Sequence, residues 1–273
     1  MPATYTLTRT QFDRIAALAK ARWGLSLADT KVPLVTSRIS SFLRKSPFQS
    51  TTEYLQHLER NANDEDMLEF FDLLSTNVTS FFRDRAHFDY LESEFFGALA
   101  RGTLARSERR LRLWSAGCST GCEPYTLAMV AHDQLRELGG WTVEILATDL
   151  SNYAVEEARA GTYDAETVKD LPRPVLARHF DARDGAWRVK PHLRAMVKVA
   201  QLNLMESWPM RGPFDVIFCR NVMIYFDAPT REKLVNRFAG LLRPGGIFAV
   251  GSAETLAGMK VGLRPARPSM YVK

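Results

Sequence analysis

Cysteine is scarce in this 273-residue sequence, with only Cys118, Cys122 and Cys219 present. So small and odd a number excludes a disulfide scaffold and fits a reducing compartment. Long apolar runs are also missing. No stretch approaches the roughly 18 uninterrupted apolar residues of a membrane span, and the opening MPATYTLTRTQFDR lacks the apolar centre of a secretory signal, so a cytoplasmic location is expected. Internal repeats and low-complexity tracts are absent. With 46% hydrophobic and 25% charged residues, the composition excludes collagen and intrinsic disorder.

Charge is present but unevenly placed. The net charge is +5, and residues 1–60 alone hold nine Lys/Arg against four Asp/Glu, so the rest of the chain balances. Such an excess suits an acidic partner: nucleic acid, anionic lipid or an acidic protein. Residues 1–75 read as short amphipathic helices. One follows Thr8 and stops at Gly24; a second runs from about Asp29 to Lys45, and others cover Thr52–Arg60 and Asp64–Ser75. In the second, Val35, Ile39 and Phe42 make an apolar stripe. Lys31, Arg38 and Lys45 recur every seven residues along one flank, joined by Arg44.

From Leu111 strands and helices alternate. Leu111–Ala116 is an apolar strand, the turn Gly117–Gly121 is built of small residues, and a helix starts at Glu123 with Pro124 in its first turn. Strands follow at Val143–Thr148, Phe214–Cys219, Ile247–Gly251 and Met270–Val272, with helices beginning after Ser151 and at Pro229. This alternation predicts a mostly parallel sheet covered on both faces. Residues 180–203 interrupt it: Trp187–Val189 and Met196–Val199, with turn signals Asp184-Gly185 and Lys190-Pro191, read as a small antiparallel insertion.

The sharpest chemical signal is WSAGCSTGCEP, a glycine-containing loop between the first strand and its helix. In doubly wound folds that turn meets a ligand, and Asp149, at the end of the next strand and 28 residues after Gly121, is placed to accept from ribose hydroxyls. Ser119 stands where G-x-G-x-x-G has its second glycine, which favours a nucleoside without pyrophosphate. The same loop satisfies G-x-S-x-G, the hydrolase nucleophile elbow, but no histidine follows His192 to act as base. The cysteines have no clustered histidines beside them, so no metal site is expected and they read as small buried apolar residues.

Taken together, TNVTSFFRD, LWSAGCSTGCEPYTLA, ATDLS, AVEEARAGTY, FDVIFCRNVMIYF and LLRPGGIF resemble the CheR-type chemotaxis methyltransferases, which methylate chemoreceptor glutamates with S-adenosylmethionine. The resemblance covers nearly the whole chain. It implies a class I S-adenosylmethionine-dependent methyltransferase (Rossmann-like) sheet with a small antiparallel β insertion, preceded by an all-α N-terminal domain. The boundaries it implies are 1–75 for the helical domain and 76–273 for the methyltransferase domain, with 76–96 as a linker contributing cofactor contacts and 180–203 as the antiparallel subdomain. By the same resemblance Asn77, Thr79, Arg83, Gly117, Glu123, Asp149, Asn203, Leu204, Arg220 and Asn221 bind S-adenosyl-L-methionine, with S-adenosyl-L-homocysteine as product. Arg83 and Tyr225 match positions proposed to act in transfer. Since the methylation regions of chemoreceptors are acidic helical bundles, Lys31, Arg38, Arg44 and Lys45 become the expected docking face.

Three departures from the family pattern stand out. Cys122 replaces an acid that often precedes Glu123, Gly251-Ser-Ala-Glu254 replaces Gly-His-Ser-Glu, and the insertion is short between Phe180 and Trp187. The last puts tethering by a receptor's C-terminal pentapeptide in doubt. Two rival readings stand beside the hydrolase. A nucleic-acid methyltransferase lacks support, because Asn-Pro-Pro-Tyr and Pro-Cys motifs for base chemistry are absent, and a non-catalytic cofactor-binding scaffold remains an alternative. No nucleic-acid partner, no membrane insertion and a monomer are expected.

Overall fold

The computed structural model describes residues 6–104 and 108–273; residues 1–5, where the opening segment begins, and 105–107 lie outside it. The chain divides into two compact units, one running to Thr76 and including Tyr225–Arg231, the other holding Asn77–Ile224 and Glu232–Lys273.

The first unit is helical: α1 (Arg9–Trp23), α2 (Val32–Leu43), α3 (Thr51–Arg60) and α4 (Asp64–Leu74). Local chemistry sets their starts. Thr8 and Asn63 each form a capping box, with Gln11 and Asp66 reaching back, and Ser50 caps α3. Phe12, Ile15, Val35, Ile39, Tyr54 and Phe70 are buried at helical spacing and form its core. The helix expected from Asp29 is a 3-10 turn over Asp29–Lys31 followed by α2, because Pro33 takes the first turn of the α-helix proper. The segment Tyr225–Arg231 joins this unit through the Ser26 amide, which donates to the Tyr225 carbonyl at 2.7 Å, and through Lys20, which pairs with Asp227 at 2.6 Å.

The second unit opens with α5 (Ala86–Tyr90), a π-turn over Leu91–Phe96 and α6 (Gly97–Ala100). Its main sheet then begins with β1 (Arg110–Ala116), α7 (Cys122–Leu135), β2 (Thr142–Asp149) and α8 (Asn152–Ala160). A short strand β3 (Thr162–Tyr163), helices α9 (Ala165–Val168) and α10 (Arg173–His179), the hairpin β4 (Phe180–Arg183) and β5 (Ala186–Val189), and α11 (Pro191–Arg194) follow. The chain returns through β6 (Val197–Gln201) and β7 (Phe214–Phe218), then α12 (Ala228–Leu241), β8 (Leu242–Ala249), β9 (Arg264–Arg267) and β10 (Met270–Val272). The strand order is β6-β2-β1-β7-β8-β10-β9, parallel through β8 and antiparallel beyond it. No described helix is long and apolar enough to cross a membrane.

The structure corrects the expected insertion. Residues 180–189 do form a hairpin, joined by β3 into a three-stranded sheet, and Asp184 and Gly185 both take positive φ in its two-residue turn. The Met196–Val199 segment does not belong to it. It becomes β6, parallel to β2 at the edge of the main sheet, pairing Ile145 with Val197 and Thr148 with Ala200. Pairing with the exposed edge of β2 satisfies backbone groups that a free third hairpin strand would leave open.

Trp114 in β1 is fully buried against Trp208, Phe238 and Phe214, while its indole N–H donates to Thr148 Oγ1 at 2.9 Å. Cys118, Cys122 and Cys219 are free and buried, and burial pushes the Cys122 thiol up to about 12, as befits small apolar residues.

Candidate active site

The strand order reverses between β1 and β7: the chain moves outward from β1 to β2 and β6, then returns to the other side of β1. A crevice at the carboxyl ends of those two strands is where open α/β sheets take their ligands. The loops after β1 and β7 carry Gly117, Arg220 and Asn221; the other expected cofactor residues come from the segment before α5, the first turn of α7 and the ends of β2 and β6.

The glycine loop folds over the end of β2. Gly117 and Cys118 both donate their amides to the Thr148 carbonyl, at 2.8 and 2.9 Å. Gly117 has φ +80°, and a Cβ there would stand 2.3 Å from Val222 Cγ2, so the β1 and β7 loops approach as closely as glycine allows. The Ser119 amide donates to Asp149 Oδ2 at 2.8 Å, and the Ser151 amide to Oδ1 at 3.0 Å. Both carboxylate oxygens are therefore oriented by backbone before any ligand arrives. Ser119 Oγ donates to the Asn77 carbonyl at 3.0 Å, and Asn77 Nδ2 donates to Ser151 Oγ at 3.2 Å, so the linker, glycine loop and β2 end are tied together. Ser119 is thus a strut, and no described histidine hydrogen-bonds it, which removes the nucleophile-elbow alternative.

A second knot lies beside it. Glu123, in the first turn of α7, accepts from Ser115 Oγ at 2.7 Å and from Arg220 Nη1 at 3.0 Å. Burial lifts the Glu123 carboxyl above its ordinary range even against Arg220 and Ser115. Arg220, whose side chain is 2% exposed, also gives Nη2 to Asp84 Oδ2 at 2.8 Å and to the Arg83 carbonyl at 2.6 Å. Its terminal nitrogens are held by protein acceptors, so that Arg220 fixes Glu123 and the Arg83 backbone. Phe82 and Asp84, on either side of Arg83, hold φ near +53° and +54°, a left-handed conformation costing roughly 1–3 kcal/mol each. Strain of that kind persists only where the surroundings impose it, here Arg220 on Asp84 and Thr126 Oγ1 on the Phe82 amide. The Arg83 guanidinium donates to the Val78 carbonyl at 2.9 Å, and Thr79 is half-buried in the same linker.

The β7 loop is held by a residue sequence reasoning noted only as part of a departure from the family pattern. Buried Glu254 accepts from the amides of Asn221 (2.9 Å), Gly251 (2.5 Å) and Ile224 (3.1 Å). It fastens the loop in which Asn221 takes φ +60°. The signal available in sequence was an acid three residues after the glycine that ends the β8 run. Asn203 and Leu204 follow β6 at the same edge of the sheet. Asn203 Oδ1 accepts from the Met205 amide at 3.0 Å, and the Leu202 amide donates to the Asp149 carbonyl at 2.9 Å.

Tyr225 and the expected docking residues fall in the helical unit. There Arg38 is corrected. It is half-buried and turned inward, donating to the carbonyls of Leu73 (3.2 Å) and Ser75 and to Thr76 Oγ1, where it satisfies the end of α4. Lys31, Arg44 and Lys45 are exposed and, among the described residues, form no ion pair. Away from the cysteines, the fold brings together His132, His179 and His192, which the sequence keeps far apart.

Comparison with known proteins agrees with this architecture. The family model described as CheR methyltransferase, SAM binding domain, matches residues 77–270, and that described as CheR methyltransferase, all-alpha domain, matches residues 10–75. The chain is 37% identical to a chemotaxis protein methyltransferase of Borreliella burgdorferi, over 98% of this chain and 95% of that one. It is 38% identical to chemotaxis protein methyltransferase 2 of Pseudomonas aeruginosa, over 97% and 93%, and 37% identical to the chemotaxis protein methyltransferase of Escherichia coli, over 94% and 88%. With both domains matched in order and relatives aligned end to end, the chain belongs to the CheR methyltransferase family.

Proposed function

We propose that this protein transfers a methyl group from S-adenosylmethionine to glutamate side-chain carboxylates of chemoreceptors, leaving glutamyl methyl esters and S-adenosylhomocysteine. The observation that carries this reading is Asp149, held by two backbone amides at the end of β2, beside a glycine loop at the switch point of a sheet whose family model is a SAM-binding domain. The donor set fits a nucleoside: a fixed carboxylate for the ribose and no glycine-rich cradle for pyrophosphate. When bound, the cofactor supplies an electrophilic methyl group on a sulfonium.

The chain's own residues have little acid–base work to do. A glutamate with an ordinary pKa near 4.3 is already ionised at neutral pH, so attack on that methyl needs no general base. Catalysis reduces to alignment and desolvation of two opposite charges. Arg83 and Tyr225 are assigned the task of orienting the substrate carboxylate. Lys31, Arg44 and Lys45 are assigned to docking the acidic receptor helices.

The test is to incubate the protein with labelled methyl donor and a receptor cytoplasmic fragment and to assay alkali-labile methyl ester. Base-stable label, or label entering nucleic acid alone, refutes the reading, and the scaffold alternative predicts no transfer. Arg83→Ala and Tyr225→Phe should each lower kcat. Exposed charge pairs contribute about 0.5 kcal/mol each, so reversing Lys31, Arg44 and Lys45 together should raise KM about tenfold and flatten its salt dependence. An unchanged KM removes the docking assignment and leaves the chemistry standing.

A further inference from the structure

Three of the chain's histidines gather at the far end of α7, away from the glycine loop. His132 lies in the last turn of α7, His179 ends α10 and His192 lies in α11. One nitrogen from each lies within 4.8 Å of the other two. His132 is nine residues beyond Glu123, about 13 Å along the helix axis, so the cluster stands apart from the crevice.

The ring nitrogens are sorted by Asp133. Its Oδ2 lies 3.2 Å from His179 Nε2 and its Oδ1 3.3 Å from His132 Nδ1, while Arg178 Nη1 donates to Oδ2 at 2.8 Å. A carboxylate taking the N–H of an imidazole fixes its tautomer and leaves the opposite nitrogen as a lone pair, the arrangement that supports metal-binding histidines. For fully buried His179 the opposite nitrogen is Nδ1, and it lies 3.3 Å from His192 Nε2. Two imidazole nitrogens on a tetrahedral ion with bonds of 2.0–2.1 Å stand about 3.3 Å apart. The third ring, His132, is half-exposed, and its centroid lies 4.6 Å from that of His192 and 5.6 Å from that of His179.

We propose that His132, His179 and His192 form a three-imidazole site for a divalent first-row transition-metal ion, with Zn2+ as the reference ion and the remaining position open to water. Imidazole donors suit Zn2+, Cu2+ and Ni2+ and disfavour Ca2+ and Mg2+, which take oxygen ligands. The ion joins α7, which packs on the main sheet, to α10 and α11, which flank the β4–β5 hairpin on either side in sequence. Its role is to fasten that small subdomain to the sheet.

The untagged full-length chain, stripped with chelator and dialysed, should take up one equivalent of Zn2+ by calorimetry. Co2+ should give the visible absorption of a four- or five-coordinate nitrogen site. His132→Asn and His192→Asn, both at half-exposed positions, should each weaken Zn2+ binding at least tenfold, since even loss of an outer partner costs metal sites 10–100-fold. His57→Asn, in the helical unit, should leave it unchanged. Added Zn2+ should raise the melting temperature of the wild type and not of the two cluster variants. Absence of stoichiometric uptake and of the Co2+ band in the wild-type chain overturns the proposal, as does binding that survives in both cluster variants. Neither result bears on methyl transfer.

Discussion

Acidifying the protein from pH 7.5 to pH 5 protonates His87 in the unfolded chain but not in the folded one. His87 sits in α5 with 4% of its surface exposed, its ring 6.2 Å from that of Phe218 and its Nδ1 without a hydrogen-bond partner. Burial first, and the nearby Arg220 guanidinium second, lower its pKa from 6.5 to about 4, with Asp84 opposing. The folded pKa lies below the unfolded one, so the unfolded chain binds the proton first. The neutral ring's contribution is therefore complete above about pH 6.5, falls as pH drops, and is gone below about pH 4. Two and a half units correspond to about 3 kcal/mol in full, of which about 2 kcal/mol is lost by pH 5. Urea unfolding of wild type and His87→Leu, at pH 7.5, 6 and 5, isolates this contribution, because every other titrating group is common to both. The wild type should lose about 2 kcal/mol more than the variant over that range, whatever the offset between them at pH 7.5. Equal losses, or an NMR titration placing His87 near 6.5, would refute the reasoning.

Gly117→Ala forces a Cβ to within 2.3 Å of Val222 Cγ2 at a φ of +80°. It should weaken S-adenosylhomocysteine binding at least tenfold with the fold retained by circular dichroism, and Val222→Ala should restore part of the loss; unchanged affinity would show that the loop contact is not needed. Arg220→Met leaves partly buried Glu123 and Asp84 without their shared partner and should cost about 3 kcal/mol, the low end for breaking a buried pair, read as a lowered melting temperature. Arg220→Lys should not rescue it, since an ammonium cannot span both carboxylates and the Arg83 carbonyl with fixed geometry; a Met variant as stable as wild type would remove Arg220 from its place as a strut.

Periodic segments were legible without coordinates because their signals are local. Thr8, Ser151 and Gly24 mark helix ends through hydrogen bonds made within a few residues, and α1 and α8 start and stop at them. Gly117 and Asp149 were recognisable because a strand, a turn and the next strand's end are fixed by chain order. The errors came where a short segment had a choice of partners. Met196–Val199 alternates like a hairpin strand, and only the open edge of β2 decided that it joins the main sheet. Arg38 has the spacing of a surface charge, yet the carbonyls ending α4 lie within its reach.

The sequence by itself determined the order of helices and strands, the glycine loop with its acid at the next strand end, and the basic excess of the first 60 residues, because each depends on neighbours along the chain. The tertiary structure alone decided which of those charges stay exposed, that Glu254 gathers three backbone amides of the β7 and β8 ends, and that Arg220 serves two carboxylates. It also brought His132, His179 and His192, spaced 47 and 13 residues apart with no motif between them, within reach of one ion. Contacts of that kind arise from packing separate helices against one sheet, and no periodicity along the chain encodes them.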